Sequence, residues 1–503
     1  MQVFSGEPRS NAGGAALVRY PMKLRSVPPL AFAVALALAA AVVAACSGLQ
    51  VNLGDKPGAS GGAAAAGNAN AGGPGGLAVD PDPNAACADG KKTTISGTVY
   101  DPAGQWPLYN AVVYVPHATG ELPAFRPGAA CEKCTDPVPA RVVALSGPDG
   151  KFVLEDVPAG SVDLVVQLGK WRRKQTILVL PCQDNPLSDA NLTRLRLPRT
   201  QLEGDIPKIA LSTGHSDALE CLLRKIGIDD SEFTTDSGDG RVNMFVGCQG
   251  DDNGNFGANK FAERLGGAAF PSTNQLFDSG TLNQYDMVIF SCEGHKCDTI
   301  QTPENVAQLV DFANRGGRVF LDHNHYNWLN HADAPIESAA QFSSSPNDIQ
   351  SPLSTRINTT QFPKGEAFAH WLLNVNASTT LGTLDIYAAK TSVQSLSPNR
   401  AQPWIYRDED PKGDFYFTIS TPVAVKDDDP PPEACGRVVF TDLHVSKSGG
   451  GDAMDFSDQD TPFPEGCTTS VLTPQEKALE FMLFDLSSCV QAESRAPTTP
   501  PVK

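Results

Sequence analysis

Residues 285–329 read YDMVIFSCEGHKCDTIQTPENVAQLVDFANRGGRVFLDHNHYNWL, and their pattern decides the fold. Met287-Val288-Ile289-Phe290 is a short apolar run that ends in Ser291-Cys292-Glu293-Gly294-His295. Thr302 suits a helix N-cap, and Pro303 fits the first helical position, where a missing N–H costs nothing. Val306, Leu309, Val310 and Ala313 recur at i, i+3, i+4 and i+7 and make one apolar helical face. Gly316-Gly317 stops that helix, because glycine tolerates the left-handed cap. Arg318 to Leu321 begins a second apolar run, followed at once by Asp322-His323-Asn324-His325. The order strand, helix, strand predicts a βαβ unit. Open sheets built from such units collect function at the carboxyl ends of their parallel strands. Both carboxyl-end loops here are rich in ligating side chains.

The flanking chain extends the same pattern. Lys208 to Gly214 reads as a first strand, and Asp217 with Glu220 three residues on makes a capping box for the helix that follows. Leu219, Leu222, Leu223 and Ile226 supply its buried stripe. Val242 to Val246 is the next strand. Asp251-Asp252-Asn253-Gly254-Asn255 has the look of a calcium loop, but Phe256 stands where such a loop needs glycine, so it reads as a surface loop. A long irregular region spans about 330–410, with one helical piece near Glu366–Leu373. Phe415 to Ser420 is a strand, drawn here as antiparallel with Pro422–Lys426. Asp427 to Pro432 is an exposed loop, and Gly436 to Thr441 is the last strand, ending near Asp442 and His444. Thr473-Pro474-Gln475-Glu476 opens a C-terminal helix with a second capping box.

Upstream, the texture is all-β. Thr94-Ile95-Ser96-Gly97-Thr98-Val99-Tyr100 alternates, Asp101-Pro102-Ala103-Gly104 turns, and Ala111 to Val115 forms the next strand. Asp149-Gly150 suits a hairpin turn, and Phe152 and Leu154 point inward together at period two. Lys170-Trp171-Arg172-Arg173-Lys174 reads as a strand edge blunted by charge rather than a binding patch. Leu192 to Pro207 reads as a Pro-bounded linker.

The N-terminus speaks to localisation. Met22-Lys23-Leu24-Arg25 is a positive start, with Met22 the expected true initiator, and Leu30 to Ala45 is an apolar run of 16 residues. That length is short for a membrane span and suits a signal-peptide core. Val43-Ala44-Ala45-Cys46 resembles the bacterial lipobox. The resemblance implies cleavage before Cys46, lipidation of that residue, and a membrane as partner. Ser47 in place of Asp implies the outer membrane of a Gram-negative bacterium. Residues 1–45 are then a signal peptide, and residues 46–90 a Gly/Ala-rich disordered linker that cannot bury enough apolar area to fold. The chain has 503 residues and a formal net charge of −18; without residues 1–45, 35 basic and 56 acidic residues remain, a charge of −21. Such acidity argues against a nucleic-acid partner, because phosphate neutralisation needs clustered Lys and Arg.

Eleven cysteines follow Cys46, so at least one stays unpaired within the chain in a disulfide-forming compartment. Cys131-Glu132-Lys133-Cys134 reads as a structural disulfide or half of a small knot. Cys292 and Cys297 could staple the first ligand-rich loop. Cys435, Cys467 and Cys489 could give one more bridge.

Two family resemblances follow from these residues. Gly97-Thr98-Val99-Tyr100-Asp101-Pro102-Ala103-Gly104, the Ala111–Val115 strand and Asp149-Gly150-Lys151-Phe152 through Val157-Pro158-Ala159-Gly160 resemble the carboxypeptidase regulatory-like (transthyretin-like) sandwich, departing in the insertion from His117 to Pro139. The resemblance implies a rigid, non-catalytic β-sandwich over about residues 91–200. Thr213-Gly214-His215, the Tyr285–Ile289 strand, Gly316-Gly317-Arg318-Val319, the His323 loop and Gly436-Arg437-Val438-Val439-Phe440-Thr441 resemble the class I glutamine-amidotransferase-like fold and its trehalose-utilisation-protein-like branch. This implies a flavodoxin-like, three-layer α/β domain with a mostly parallel sheet over residues 205–490. A disordered tail at 491–503 is expected to follow. Leu443-His444 stands where that branch has Gly-His. An active amidotransferase of this fold has a nucleophilic Cys on the turn occupied here by Asp322-His323-Asn324, so glutaminase chemistry is not expected.

Three functions stay open. The first is ligand binding, with carbohydrate or another envelope protein as partner, in a cleft of His215, Glu293, His295, Asp322, His323, His325, Trp328, Asp442 and His444. The second is a metal-dependent hydrolase using His295, His323, His325 and His444, with zinc or another divalent metal on His323, His325 and His444 and with His331 nearby. His323 and His325, two residues apart, face one side if the strand reaches them. A thiolate nucleophile at Cys292, activated by His295 or His323, belongs with the catalytic options. The third is a purely structural envelope protein.

Overall fold

The computed structural model describes residues 87–503, apart from 119, 189–193, 249–256, 334, 345, 348, 350–351, 427–431, 446–460 and 470, and the statements below concern the described residues. The lipobox, the tether up to residue 86, the calcium-like loop and most of the Asp427–Pro432 loop lie outside them. The tether's last residues, read as disordered to 90, are ordered instead, with a 3-10 turn at Ala88–Gly90 and Cys87 bonded to Cys182. No helix among them is long and apolar enough to cross a membrane.

Period-two alternation builds the first layers. β1 (Thr94–Tyr100) buries Ile95 and Val99, while β4 (Lys151–Leu154) pairs antiparallel with it and buries Phe152 and Leu154. β7 (Asp184–Pro186) and β8 (Leu195–Arg196) also pair with β1. A second sheet runs β3-β2-β5-β6-β9, from β2 (Val112–Pro116), β3 (Ala140–Leu145), β5 (Gly160–Leu168), β6 (Trp171–Val179) and β9 (Gly204–Asp205). Val113, Val115, Leu164 and Val166 of this sheet share one core with Ile95, Val99, Phe152 and Leu154. The 117–139 insertion covers the other face, where Leu122 and Val138 pack on Tyr114, Ala140 and Val165.

Two expectations change here. β6 lies inside its sheet, because part of the supposed linker supplies β9 beside it. Three residues of the basic cluster are ion-paired rather than edge-blunting: Lys170 to Asp286 at 2.6 Å, Arg172 to Asp205 at 2.8 Å, Lys174 to Asp163 at 3.2 Å.

The second half of the chain forms a ten-stranded mixed sheet. Its parallel part comprises β10 (Ile209–Thr213), β11 (Phe233–Thr234), β12 (Val242–Val246), β13 (Met287–Phe290), β14 (Arg318–Asp322) and β21 (Gly436–Thr441), in the order β11-β12-β10-β13-β14-β21. The opening stretch is thus β13, α2 (Pro303–Asn314) and β14. Thr302 caps the helix by accepting from the Asn305 N–H, and Gly316 follows its end at φ +113°. The sheet continues antiparallel through β20 (Gly413–Thr421), β19 (Gln402–Arg407), β16 (Leu353–Ile357) and β17 (Thr383–Ile386). The region read as irregular is therefore strand-rich. It also holds α4 (Pro363–Asn374) and a separate antiparallel pair, β15 (Ala340–Phe342) with β18 (Val393–Leu396). β20 pairs with β19 and β21, not with Pro422–Lys426.

Helices cover both faces of this sheet. α1 (Leu219–Lys225), α4 and α5 (Pro474–Ser487) share a core with Ile209, Leu211 and Ile289, whereas α2 packs with Ala210, Val288 and Leu321 on the opposite face. Thr473 and Glu476 form the expected capping box at α5.

Five disulfides pair Cys87–Cys182, Cys131–Cys435, Cys134–Cys489, Cys221–Cys467 and Cys248–Cys297, and Cys292 is free and buried. The C-x-x-C motif is therefore split, each half reaching the C-terminal region, and Cys435, Cys467 and Cys489 do not bridge one another. The Cys292–Cys297 staple does not form, because Cys297 bonds Cys248. The segment expected to be a disordered tail is held in place instead. Glu493 pairs with Arg437 at 3.0 Å, and the Val138 N–H donates to the Pro501 carbonyl at 2.9 Å.

Candidate functional site

Four adjacent parallel strands, in the order β10-β13-β14-β21, end level with one another, with Ser212 opposite Phe290, Phe290 opposite Leu321, and Asp322 opposite Thr441. Their carboxyl-end loops deliver Asp217, Cys292, Asp322 with His323, and Asp442 with His444. The loop after β10 folds tightly against the one after β13. The N–H groups of Ser216 and Asp217 donate to the Cys292 carbonyl at 2.9 and 3.3 Å, and a Cβ on Gly214 would strike that same carbonyl. Glycine is needed there for this close approach.

Asp217 was expected as a helix N-cap. The helix begins at Leu219 behind Ala218, with no side-chain cap. The Asp217 carboxylate turns instead to the loop after β21, taking the Val445 N–H at 2.7 Å and making a very short contact to His444 Nδ1. His444 therefore keeps Nε2 for another partner. Burial opposes its charge, but the facing Asp217 carboxylate outweighs this and raises its pKa.

His323 sits at φ +44°, a left-handed conformation that is costly for a non-glycine residue and concentrates at functional sites. The strand stops at Asp322, and residues 323–326 form a 3-10 turn that runs into the short helix α3 (Asn327–Asn330). His323 and His325 consequently diverge, against the expectation of a shared strand face. His323 Nδ1 lies 3.0 Å from Cys292 Sγ, and its ring meets that of His444 with centroids 4.8 Å apart. The Asp322 carboxylate takes the Cys292 N–H at 3.2 Å, and the Gly294 N–H points at the sulfur from 3.3 Å. Cys292, His323 and His444 are 0, 1 and 5% exposed.

One ligand atom from each of Cys292, His323 and His444 lies within 4.8 Å of the other two, so this buried group could hold a metal ion. Among the described residues, His323 Nε2 has no hydrogen-bond partner. The pair is poorly set for a thiolate nucleophile. Burial pushes the Cys292 thiol well above its usual range, helped by Asp322 and Asp217, and burial drives His323 well below its own, helped by His444. Both groups favour their neutral forms. A bound cation would reverse that logic by stabilising the thiolate directly.

The remaining candidates fall elsewhere. His325 packs in a separate buried network, its Nε2 placed between the Ser291 carbonyl at 2.9 Å and Glu293 Oε2 at 2.8 Å. The Trp328 N–H donates to its Nδ1 at 3.1 Å, which puts the proton on Nε2 and leaves no lone pair for a metal. Trp328 itself is 1% exposed between Phe277 and Phe290, so its face is not offered to a sugar ring. His215 and His295 are half-buried and His331 is exposed. None of the three belongs to the Cys/His/His group. Asp442 supports a neighbouring loop by accepting the Ser392 N–H at 2.8 Å. Asp217 is the residue that sequence reasoning missed as part of the site. Its position just past a parallel strand, beside Gly214, was the available signal.

No family model matches this chain, and no curated protein matches it. Solved structures sharing short stretches include two interface mutants of a type II cohesin–X–dockerin complex from Acetivibrio cellulolyticus. The C-terminal mutant is 16% identical over 30% of this chain and 79% of its own, at TM-score 0.14, and the N-terminal mutant 15% identical over 27% and 85%, at 0.16. Fervidolysin from Fervidobacterium pennivorans, a keratinolytic enzyme related to subtilisin, is 12% identical over 22% of this chain and 16% of its own, at 0.12. At such scores these likenesses carry no argument.

Proposed function

We propose that this chain is a lipid-anchored envelope protein whose α/β domain binds a transition-metal ion, zinc first, at Cys292, His323 and His444. On this reading the transthyretin-like sandwich is a rigid support. The amidotransferase-like domain keeps its strand-end site but has exchanged nucleophilic chemistry for metal ligation. The carrying observation is the mutual approach of the three ligand atoms within 4.8 Å. A tetrahedral zinc site, with Zn–S about 2.3 Å and Zn–N about 2.0 Å, needs ligand spacings of about 3.3–3.6 Å. Side-chain shifts of about an ångström therefore suffice. A thiolate with two imidazoles selects zinc or copper over magnesium or calcium. Asp217 behind His444 supplies the carboxylate–histidine arrangement that orients a ligand ring. The cell-envelope location rests on the lipobox-like Val43–Cys46 and agrees with the five disulfides, which suit an oxidising compartment.

Burial of all three ligands favours holding an ion over turning over a bulky substrate, which places hydrolysis second and an open carbohydrate cleft third. The test is metal analysis of the full-length protein extracted in detergent, before and after zinc reconstitution. A stoichiometric ion is expected, lost in Cys292→Ser and in His444→Ala. A wild-type protein that takes up no ion under either condition overturns the proposal.

A further inference from the structure

A second acid cluster lies apart from the strand-end site, where the sandwich meets α5. Asp101 ends β1 in a tight turn, and its Oδ1 accepts the N–H groups of Gln105 at 2.6 Å and Trp106 at 3.1 Å. On α5, Lys477 lies over the ring of Trp106, whose backbone N–H Asp101 holds, and Phe481 stacks on Tyr109, so Glu480 between them is set against the Asp101 turn, and both residues are 0% exposed. Neither Glu480 oxygen nor Asp101 Oδ2 has an N–H donor among the described residues. Two carboxyl groups can share such a dry contact only with a proton between them, because ionising both sets like charges together without water.

The charged groups around the pair are engaged elsewhere. On α5, Lys477 Nζ donates to the Val375 carbonyl at 2.7 Å and lies 4.0 Å over the Trp106 ring, while Glu476 is held by Lys225 of α1 at 2.8 Å. From the sandwich, Arg194 is bound to the Gly104 carbonyl at 2.5 Å. The contact sits in a larger seat, in which Tyr109 stacks on Phe481 at 5.9 Å and Trp371 donates to the Pro107 carbonyl at 2.6 Å.

We propose that the Asp101–Glu480 pair is a proton-dependent lock on the joint between the two halves of the molecule. With the proton shared, the sandwich stays seated on α5. When the proton leaves, the seat loosens, while Cys131–Cys435 and Cys134–Cys489 keep the halves tethered. Burial pushes Asp101 up to about 7 and Glu480 well above the usual carboxylate range. Both native values lie above the unfolded ones of about 4. The native state therefore holds protons that the unfolded chain has lost. Stability from the pair is full in acid and declines as pH rises from about 4 through 7 and beyond. The joint is tightest when the surroundings turn acidic.

The experiment compares the full-length protein with Glu480→Gln and Asp101→Asn in thermal unfolding at pH 6 and pH 9, with hydrogen exchange over β1 and α5 at both values. In the wild type, the midpoint should fall and exchange at the joint should rise between pH 6 and pH 9. Each neutral variant should flatten that difference, because an amide holds the contact at either pH. Wild-type and variant profiles that run parallel, or wild-type exchange at the joint that ignores pH, overturn the proposal. If one variant fails to fold, the other and the wild-type exchange data still decide.

Discussion

His323 occupies a left-handed backbone conformation at φ +44°, at a cost on the order of 1–3 kcal/mol. The strain aims its ring between Cys292, just past one neighbouring strand, and His444, just past the other. A residue chosen only for packing would gain nothing from it. Two substitutions test what the strain serves. Cys292→Ser removes the one soft ligand and should abolish zinc binding, measured by chelator competition, while leaving the far-ultraviolet circular dichroism unchanged. Asp217→Asn is subtler. The amide would donate to His444 Nδ1 and drive the ring proton onto Nε2, the nitrogen left for the metal. A loss of about 10–100-fold in zinc affinity is expected, the usual effect of losing such a supporting partner. Unchanged affinity in Asp217→Asn would mean that His444 is not a ligand.

At the scale of elements, α5 is the piece that both halves share. Thr473→Ala removes its capping box and should cost about 0.5–2 kcal/mol in denaturant unfolding. Gly169, at φ +55°, brings the β5–β6 turn so close to α5 that a Cβ would fall on the Ser487 carbonyl. Gly169→Ala should therefore cost about 1–3 kcal/mol, since backbone would have to move. Elements with local signals were legible. The β13–α2–β14 unit shows an apolar run, a Thr-Pro start and a Gly-Gly stop within one stretch. β16, β18 and β19 were not, because burial there comes from partner strands distant in sequence; Pro403 and a run such as Val393-Gln394-Ser395-Leu396 carry little strand signal alone. The site was half legible for the same reason. Strand ends located Cys292, His323 and His444, but the Asp217–Glu220 spacing matches a capping box equally well. Only β21, more than two hundred residues away, shows that Asp217 faces His444. The His323/His325 pairing failed because one left-handed residue breaks period two, and period two presumes an extended strand.

The described residues unfold as one unit because they share one core. A single apolar cluster runs from Ile95 and Val99 in the sandwich through Trp171, Phe484 and Phe481 to Ile209 and Leu211 in the large sheet. Separate domains normally meet across modest polar interfaces and melt independently. Here the meeting surface is continuous core, with Lys170 and Asp286 buried as an ion pair at its margin and two disulfides crossing it. Calorimetry should therefore record one transition for residues of both halves, and two resolved transitions would refute the shared core. The disulfides should set its height, not its number. Cys131–Cys435 closes a sequence separation of 304 residues, so the Cys131→Ala/Cys435→Ala double variant should lose about 2–5 kcal/mol. It should still melt in one step, because the aromatic seat and the Cys134–Cys489 bridge survive. If that variant instead splits into two transitions, covalent tethering rather than packing makes the halves cooperative. The proton-sensitive joint would then have to act through the tethers, which do not titrate.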